Sequence, residues 1–204
     1  MSDLQELLEN HQIKKTVTWT EEGEEHSREI TLQEPDARAA TQIIGKMAGA
    51  NNTIYFGDAM GLILDNNVIV NPKITFNQLN HDLSKEDAQK SVELTNADGR
   101  KVTLYMKFPD YRTAFNILMF SQKTDGSIDI TGMLDLLFDG ILVDGNGKKL
   151  DWDWLDDHKK GYGLTNEVIS EALEFITDVL SKDGVLAMLL EAFQLSAKQI
   201  SRVR

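Results

Sequence analysis

The sequence predicts an α+β fold in which a β-hairpin–helix–helix unit occurs twice in tandem and is followed by two C-terminal helices. Residues 30–65 align with residues 104–139 without a gap, at a constant offset of 74 positions. In both copies an alternation of apolar and polar residues gives way to apolar residues at helical spacing. No third copy follows, and residues 164–204 are typical of two helices broken near residues 182–184.

The clearest identity between the copies is a Pro-Asp-x-Arg-x-Ala run at residues 35–40 and 109–114. Other identities pair Ile43 with Ile117 and Leu62 with Leu136. Two amphipathic units of similar patterning could look alike without common origin. Amphipathicity alone does not require the Pro-Asp-x-Arg-x-Ala run, so we favour a tandem duplication.

A short acidic helix is predicted at residues 3–10, and a β-hairpin begins each copy. In the first hairpin, Val17 and Trp19 share a face before a Glu-Glu-Gly-Glu turn. In the second, Asp98-Gly99 is a strong signal for a tight turn. Alternation resumes after both turns, at Ile30 and Leu32 in the first copy and at Val102, Leu104, Met106 and Phe108 in the second.

Two helices follow each hairpin. Asp36 and Asp110 are predicted to cap the first helix of their copy. The second helix is expected to begin near Thr53 or Ser127 and to end in a short apolar segment, at residues 68–70 or 141–143. Beyond that segment, Trp152 is expected in the core, as Phe76 would be in the first copy.

The predicted domain boundaries follow the repeat. Residues 1–83 form the first repeat with the N-terminal helix, residues 84–160 the second, and residues 161–204 a C-terminal helical segment. A hairpin alone is marginal in water, so we expect one compact domain built from two pseudo-symmetric halves.

The last helix carries an apolar stripe with two interpretations. It packs against the repeats as core, or it is a partner-binding element that lies in a groove of another protein. On the second interpretation the predicted partner-binding residues are Leu186, Leu189, Leu190 and Phe193.

Composition excludes several classes of function. The formal net charge of −12 over 204 residues argues against a nucleic-acid partner. There are no cysteines, and no apolar run approaches the roughly 20 residues that span a membrane. The first residues lack the features of a signal peptide, so a cytoplasmic protein is expected.

No catalytic constellation is found, and we expect neither an enzyme nor a bound cofactor or metal. Asp144 begins a glycine-rich stretch that lacks the ligand pattern of a calcium loop, so a turn is favoured. The acidic cluster of residues 151–157 could hold a metal or act as acid and base, but a solvated loop is favoured. Arg38 and Arg112 lie beside Asp36 and Asp110; a structural contact is favoured over a ligand role.

The exit from each repeat resembles the tail assembly chaperones of siphophages and related prophages of Gram-positive bacteria. That family has a V-x-P-K-x-x-x-x-x-L segment after an apolar helix, followed by a helix in which Glu alternates with Leu and Ile. That helix corresponds to residues 167–180 of this chain. The matching positions are Val70, Pro72, Lys73 and Leu79, and again Val143, Leu150, Trp152 and Leu155.

The resemblance implies a non-enzymatic protein of phage or prophage tail morphogenesis, in the cytoplasm of a bacterial host. It would bind the tape-measure protein or other tail proteins without a cofactor. The sequence leaves open whether the chain forms a homo-oligomer. Two alternatives stay open: a virion component such as a tail tube or head–tail joining protein, which would polymerise through its edge strands, and a hydrolase that uses the 151–157 cluster.

Overall fold

The computed structural model describes residues 11–21, 23–47, 55–96, 98–120, 129–158 and 163–201. The described chain contains both helices and antiparallel strands, so the predicted α+β class is confirmed. The predicted helix at residues 3–10 and the predicted helix starts at Thr53 and Ser127 lie outside the described residues. The chain divides into two compact units: residues 1–82 with 180–204 form the first unit, and residues 83–179 form the second unit.

The first unit begins with an antiparallel hairpin whose two-residue turn contains Gly23 at a φ of +83°. Its three strands have the order β1-β2-β3. Its elements are β1 (Gln12–Glu21), β2 (Glu24–Gln33), α1 (Ala37–Met47), α2 (Phe56–Asp65), β3 (Ile69–Asn71) and α3 (Phe76–Asp82).

The second unit repeats this order, with a strand order of β4-β5-β6. Its hairpin turn is closed by Asn96, whose side-chain oxygen accepts from the backbone N–H groups of Asp98 and Arg100. Its elements are β4 (Gln89–Thr95), β5 (Lys101–Lys107), α4 (Tyr111–Phe120), α5 (Ile130–Gly140), β6 (Leu142–Val143), α6 (Trp152–His158) and α7 (Gly163–Ser181).

Strand pairing is equivalent in the two units. Leu32 of β2 pairs with Ile69 of β3, and Met106, 74 positions after Leu32, pairs with Leu142 of β6. The predicted hairpins and the hairpin–helix–helix order are therefore confirmed. That the two units arose by duplication stays a prediction, since a shared order of elements does not establish common origin.

The inner faces of the hairpins and the apolar faces of the helices form a separate core in each unit. In the first unit the fully buried side chains include Ile30, Leu32, Ile43, Met60, Ile63 and Leu189. In the second unit they include Leu104, Met106, Phe115, Ile117, Leu134 and Leu137. Alternation in the strands and helical spacing in the helices bring these residues together.

The C-terminal segment is not a separate part, and the predicted third boundary at residue 161 is corrected. Helix α7 belongs to the second unit, where Phe175 packs edge-on against Phe108 at 6.4 Å. The last helix, α8 (Val185–Ser201), belongs to the first unit, where Phe193 packs edge-on against Phe56 at 5.9 Å. Each of these two long helices thus packs its apolar face against the core of one unit. The predicted boundary after residue 83 lies one residue from the observed one.

Trp152 does not occupy the core position predicted for it. Its side chain is 37% exposed, whereas Phe76 is 9% exposed. The indole ring lies edge-on to Phe138 at 5.5 Å, and Nε1 donates to a carboxylate oxygen of Asp135 at 2.7 Å. The polar N–H thus finds its partner at the surface, which keeps the ring there.

Candidate partner-binding site

A tight turn at Lys182–Gly184 separates α7 from α8 and sets where α8 begins. Asp183 and Gly184 both have left-handed backbone conformations, with φ of 53° and 71°. Gly184 lies against the indole of Trp19 in β1, and a Cβ at this position would be 2.7 Å from Cε3 of that ring. Only glycine fits without displacing the ring, so the start of α8 is held closely against the hairpin.

Polar contacts reinforce this docking. Glu21 Oε2 accepts from Trp19 Nε1 at 3.0 Å and from the backbone N–H of Asp183 at 3.2 Å. Further along α8, Glu191 forms an ion pair with Lys15 of β1. Helix α8 is therefore attached to β1 at two points, at the turn and at Glu191.

One face of α8 is buried in the first unit. Among the α8 residues whose burial is described, Ser196 is the only buried polar one, and its hydroxyl donates to the carbonyl of Ala192 at 3.0 Å. The buried residues described on this helix are Val185, Met188, Leu189, Ala192 and Ser196.

A second apolar line runs beside this buried face, which we call the α8 flank: Leu186, Leu190, Phe193 and Ala197. The spacing of four, three and four residues places these side chains in a row along one side of the helix. Leu190 is 40% exposed, and the other three are half-buried. Helix α8 is therefore apolar over a wider arc than its own unit covers.

The four residues predicted to bind a partner fall into two groups. Leu186, Leu190 and Phe193 lie on the α8 flank; Leu190 is the most exposed of the three, and Phe193 is half-buried with its ring packed against Phe56. Leu189 is 0% exposed and belongs to the core, so its predicted role in partner binding is corrected. The physical reason is the helical period: Leu189 precedes Leu190 by about 100° of rotation, which turns it onto the buried face.

Helix α7 provides an internal reference for α8. Residues 169–173 read Ile-Ser-Glu-Ala-Leu and residues 189–193 read Leu-Leu-Glu-Ala-Phe, at an offset of 20. Lys90 of β4, which is 75 positions after Lys15, lies 3.7 Å from Glu171, and Glu171 matches Glu191. Four buried positions correspond at this offset: Leu164 with Gly184, Val168 with Met188, Ala172 with Ala192, and Ile176 with Ser196. Buried Leu189 and Val185 instead match the half-buried Ile169 and Thr165.

The two helices differ at the positions of the flank. On α7, three of the four matching residues are polar, and the set is Asn166, Ser170, Leu173 and Thr177. The two helices thus share the Lys–Glu contact and part of their buried face, but the apolar flank is present on α8 alone.

The repeated Asp36 and Asp110 have the capping role that was predicted. Oδ1 of Asp36 accepts from the backbone N–H of Ala39 at 2.7 Å, and Oδ1 of Asp110 accepts from that of Thr113 at 2.9 Å. Arg38 and Arg112 are exposed. The carboxylate of Asp36 is turned toward the helix N-terminus rather than toward Arg38. The predicted structural role of Arg38 and Arg112, in an Asp–Arg or a helix–hairpin contact, stays a prediction.

The stretch that begins at Asp144 is a turn, as predicted. Oδ1 of Asp144 accepts from the backbone N–H groups of Asn146 and Lys148, both at 2.8 Å. These hydrogen bonds, with that from Lys148 the larger effect, hold the pKa of the Asp144 carboxyl below its ordinary value of 3.8. The carboxylate is thus oriented by its own backbone, which explains the turn without a cation.

The acidic cluster after this turn lies in helix α6, so the predicted loop at residues 151–157 is corrected to a helix. Oδ1 of Asp151 accepts from the backbone N–H of Trp154 at 3.1 Å, which is a helix cap. The ring of His158 stacks on Trp154 at 4.7 Å. Among the residues described, no group of three or more His, Asp or Glu side chains is arranged to hold a metal ion.

Two features of the site were missed from the sequence. The equivalence of α7 and α8 was not recognised, although the shared Glu-Ala pair at an offset of 20 was a readable signal. Ala197 was also omitted, although it continues the 186–190–193 spacing.

The fold and the flank define an α+β protein with a candidate helix-binding surface. No protein-family model matches the chain, and no match was found among curated proteins or solved structures. Across the described ranges, each helix is too short or too polar to cross a lipid bilayer.

Proposed function

We propose that this chain is a non-enzymatic assembly chaperone of phage or prophage tails that binds the tape-measure protein through the α8 flank. The observation that carries the proposal is the contrast between the two equivalent helices. The flank is apolar on α8, at Leu186, Leu190 and Phe193, and mostly polar on α7. An apolar line that stays partly exposed along a helix is the kind of surface that binds a partner.

The geometry of the flank suits a helical partner. Side chains four and three residues apart form a straight ridge that fits between the side chains of another helix. Tape-measure proteins are long and helical in the family that the sequence resembles, so they offer many such sites. The flank is small, and a small apolar contact gives weak, reversible binding, which suits a chaperone that must release its client.

The residues that carry the family resemblance have a different place. Val70, Pro72 and Lys73 lie at the end of β3 and in the connection to α3, and Val143 and Leu150 lie around the turn between β6 and α6. These positions shape the exit of each repeat. We therefore assign them to the scaffold and the α8 flank to the partner.

The test is a pull-down with the tagged chain from cells that express the neighbouring phage or prophage genes, read by mass spectrometry. We expect capture of a long helix-rich protein, and loss of that capture in the double variant Leu186→Ser/Leu190→Ser. Ile130→Ser is the matched control, since Ile130 is a 49% exposed apolar residue of α5 in the second unit. Capture by the control and by the wild type should be equal.

Each outcome bears on a different part of the proposal. If the wild type captures no tail protein, the chaperone function is wrong. If the double variant remains folded and captures the client as well as the wild type does, the function stands and the flank assignment is wrong.

A structural role in the virion is the second candidate, and one observation favours it. Strands β1 and β4 are edge strands of their sheets, and edge strands can pair with neighbouring molecules. On this view the chain would be present in purified particles and would capture tube or connector proteins. A chaperone would be absent from the particles.

A further inference from the structure

Strand β1 is an edge strand, and none of the strands that the structure describes pairs with its outer side. The carbonyl of His11 accepts from the backbone N–H of Glu34 at 3.1 Å, and hydrogen-bonded pairs alternate along an antiparallel ladder. Odd-numbered residues of β1 therefore bond to β2. The N–H and C=O groups of Thr16, Thr18 and Thr20 point away from it, at the outer edge of the sheet. All three threonines are exposed.

The other comparable edges carry charges. Beyond its short pairing with β3, the outer edge of β2 contains Glu25 and Glu29. On β4, the position equivalent to Thr18 is Glu93 at the offset of 75. Charged residues on an edge strand oppose the addition of another strand. The edge of β1 instead presents three uncharged, β-branched residues in succession, which favour strand pairing.

The charge pattern of β1 is complementary to itself. Lys14 and Lys15 lie near its beginning and Glu21 at its end. In an antiparallel pair of two such strands centred on Thr18, Thr18 faces its own copy and Thr16 faces Thr20. In this register Lys15 of each strand lies opposite Glu21 of the other, on the same face of the sheet.

This register also satisfies the geometry of the ladder. A twofold axis perpendicular to the sheet keeps like faces together and pairs even-numbered with even-numbered residues. Those are the residues whose N–H and C=O groups point outward, so the pairs Thr18–Thr18 and Thr16–Thr20 can exchange backbone hydrogen bonds. Both charged groups already have a partner within their own unit: Glu21 accepts through Oε2, and Lys15 pairs with Glu191. An ammonium group has three donors, so Lys15 can keep Glu191 and also approach Oε1 of Glu21 in the second copy.

We propose that the chain forms a homodimer through β1, with two antiparallel β1 strands related by a twofold axis at Thr18. The β1-β2-β3 sheet of one copy then joins the same sheet of the other copy into one continuous sheet. We expect a second copy of this chain at the edge of β1 for three reasons. In this register the charges of the two strands are complementary, their outward N–H and C=O groups face each other, and the two sheets turn the same face to the same side. The interface does not involve the α8 flank, so it is independent of the proposed chaperone function.

Single cysteines provide the sharpest test, because the chain contains no cysteine. In the proposed dimer the two Thr18 Cα atoms are about 5.5 Å apart. A Thr18→Cys variant should therefore form a covalent dimer with a short bifunctional thiol reagent. The two Thr16 Cα atoms would be about 14 Å apart, so Thr16→Cys alone should not react to a dimer. An equimolar mixture of the Thr16→Cys and Thr20→Cys variants should form a covalent dimer, because these two positions face each other in the proposed register.

A charge variant tests the same interface without crosslinking. Thr18→Glu copies the residue found on β4 and places two carboxylates face to face at the axis. We expect it to be monomeric by sedimentation equilibrium, where the wild type is dimeric. Ser27→Glu is the matched control, because it adds the same charge across the hairpin, away from the β1 edge. It should dimerise as the wild type does.

The outcomes separate clearly. A wild-type chain that stays monomeric at the highest attainable concentration would overturn the proposal, as would crosslinking of Thr16→Cys alone as efficient as that of Thr18→Cys. If Thr18→Glu proves unfolded by circular dichroism, the cysteine pairs still decide, since threonine and cysteine are similar in size.

Discussion

Gly184 lies directly beneath the indole ring of Trp19, so closely that a Cβ would be 2.7 Å from Cε3. The contact joins the turn before α8 to the first hairpin strand, across more than 160 residues of sequence. It fixes both where α8 begins and which of its sides faces the core. Together with the ion pair between Lys15 and Glu191, this contact sets the position of the α8 flank.

Replacing Gly184 with alanine should destabilise the protein. Its φ of +71° is unfavourable for alanine, and the added methyl group overlaps the ring of Trp19. Backbone strain and overpacking each cost about 1–3 kcal/mol, so we expect a loss of at least about 2 kcal/mol in the free energy of unfolding. Urea denaturation followed by circular dichroism measures this.

The control for that substitution is Gly23→Ala. Gly23 has a similar φ of +83°, but nothing lies within 4 Å of a Cβ at this position. It reports the backbone strain without the steric overlap. If both variants lose the same stability, the contact with Trp19 contributes nothing beyond backbone strain.

Both repeated aspartates should contribute to stability, and Asp110 somewhat more than Asp36 because its Oδ2 also accepts from the Thr113 hydroxyl at 2.7 Å. Asp36→Ala and Asp110→Ala each remove the side-chain acceptor for an N-terminal N–H of a helix. Loss of such a cap costs about 0.5–2 kcal/mol. Arg38→Ala is the control, since Arg38 is exposed and a surface change of this kind shifts stability by less than about 0.5 kcal/mol. A larger loss for Arg38→Ala than for Asp36→Ala would contradict the capping assignment.

Local signals in the sequence were sufficient for the hairpins, the paired helices and the caps. Val102, Leu104 and Met106 alternate in the sequence and are all buried in the structure. The interactions that decide these elements act over a few residues, so period and turn chemistry report them directly.

Local signals of this kind could not predict which unit each of the last two helices packs against. An amphipathic pattern shows that α8 must be covered, but not that the covering strand is β1. That choice depends on Lys15, Trp19 and Gly184, which are distant in sequence. For the same reason the stripe of α8 could be found, while the split between buried Leu189 and exposed Leu190 required the structure.

Asp144 should make stability depend on pH in the acid range. Its folded pKa lies below 3.8, because the backbone N–H groups of Lys148 and Asn146 favour the carboxylate. The contribution is therefore fully present above the unfolded pKa and is lost as the pH falls through the folded pKa. We expect the difference in stability between the wild type and Asp144→Ala to shrink as the pH is lowered below 3.8. Thermal melts at a series of pH values measure it; a constant difference would contradict the prediction.

Truncation of the two adjacent leucines of α8 should have different effects: one variant should lose stability, and the other should lose client capture. This difference distinguishes a core residue from a surface residue. Leu189 is fully buried, and Leu189→Ala should cost about 2–5 kcal/mol of unfolding free energy because it leaves a cavity in the first unit. Leu190 is 40% exposed, so Leu190→Ala should cost less than about 1 kcal/mol and instead weaken client capture. Chemical denaturation and the pull-down are run on both variants. Equal losses of stability would mean that Leu190 is also core, and the α8 flank could then not be a binding surface.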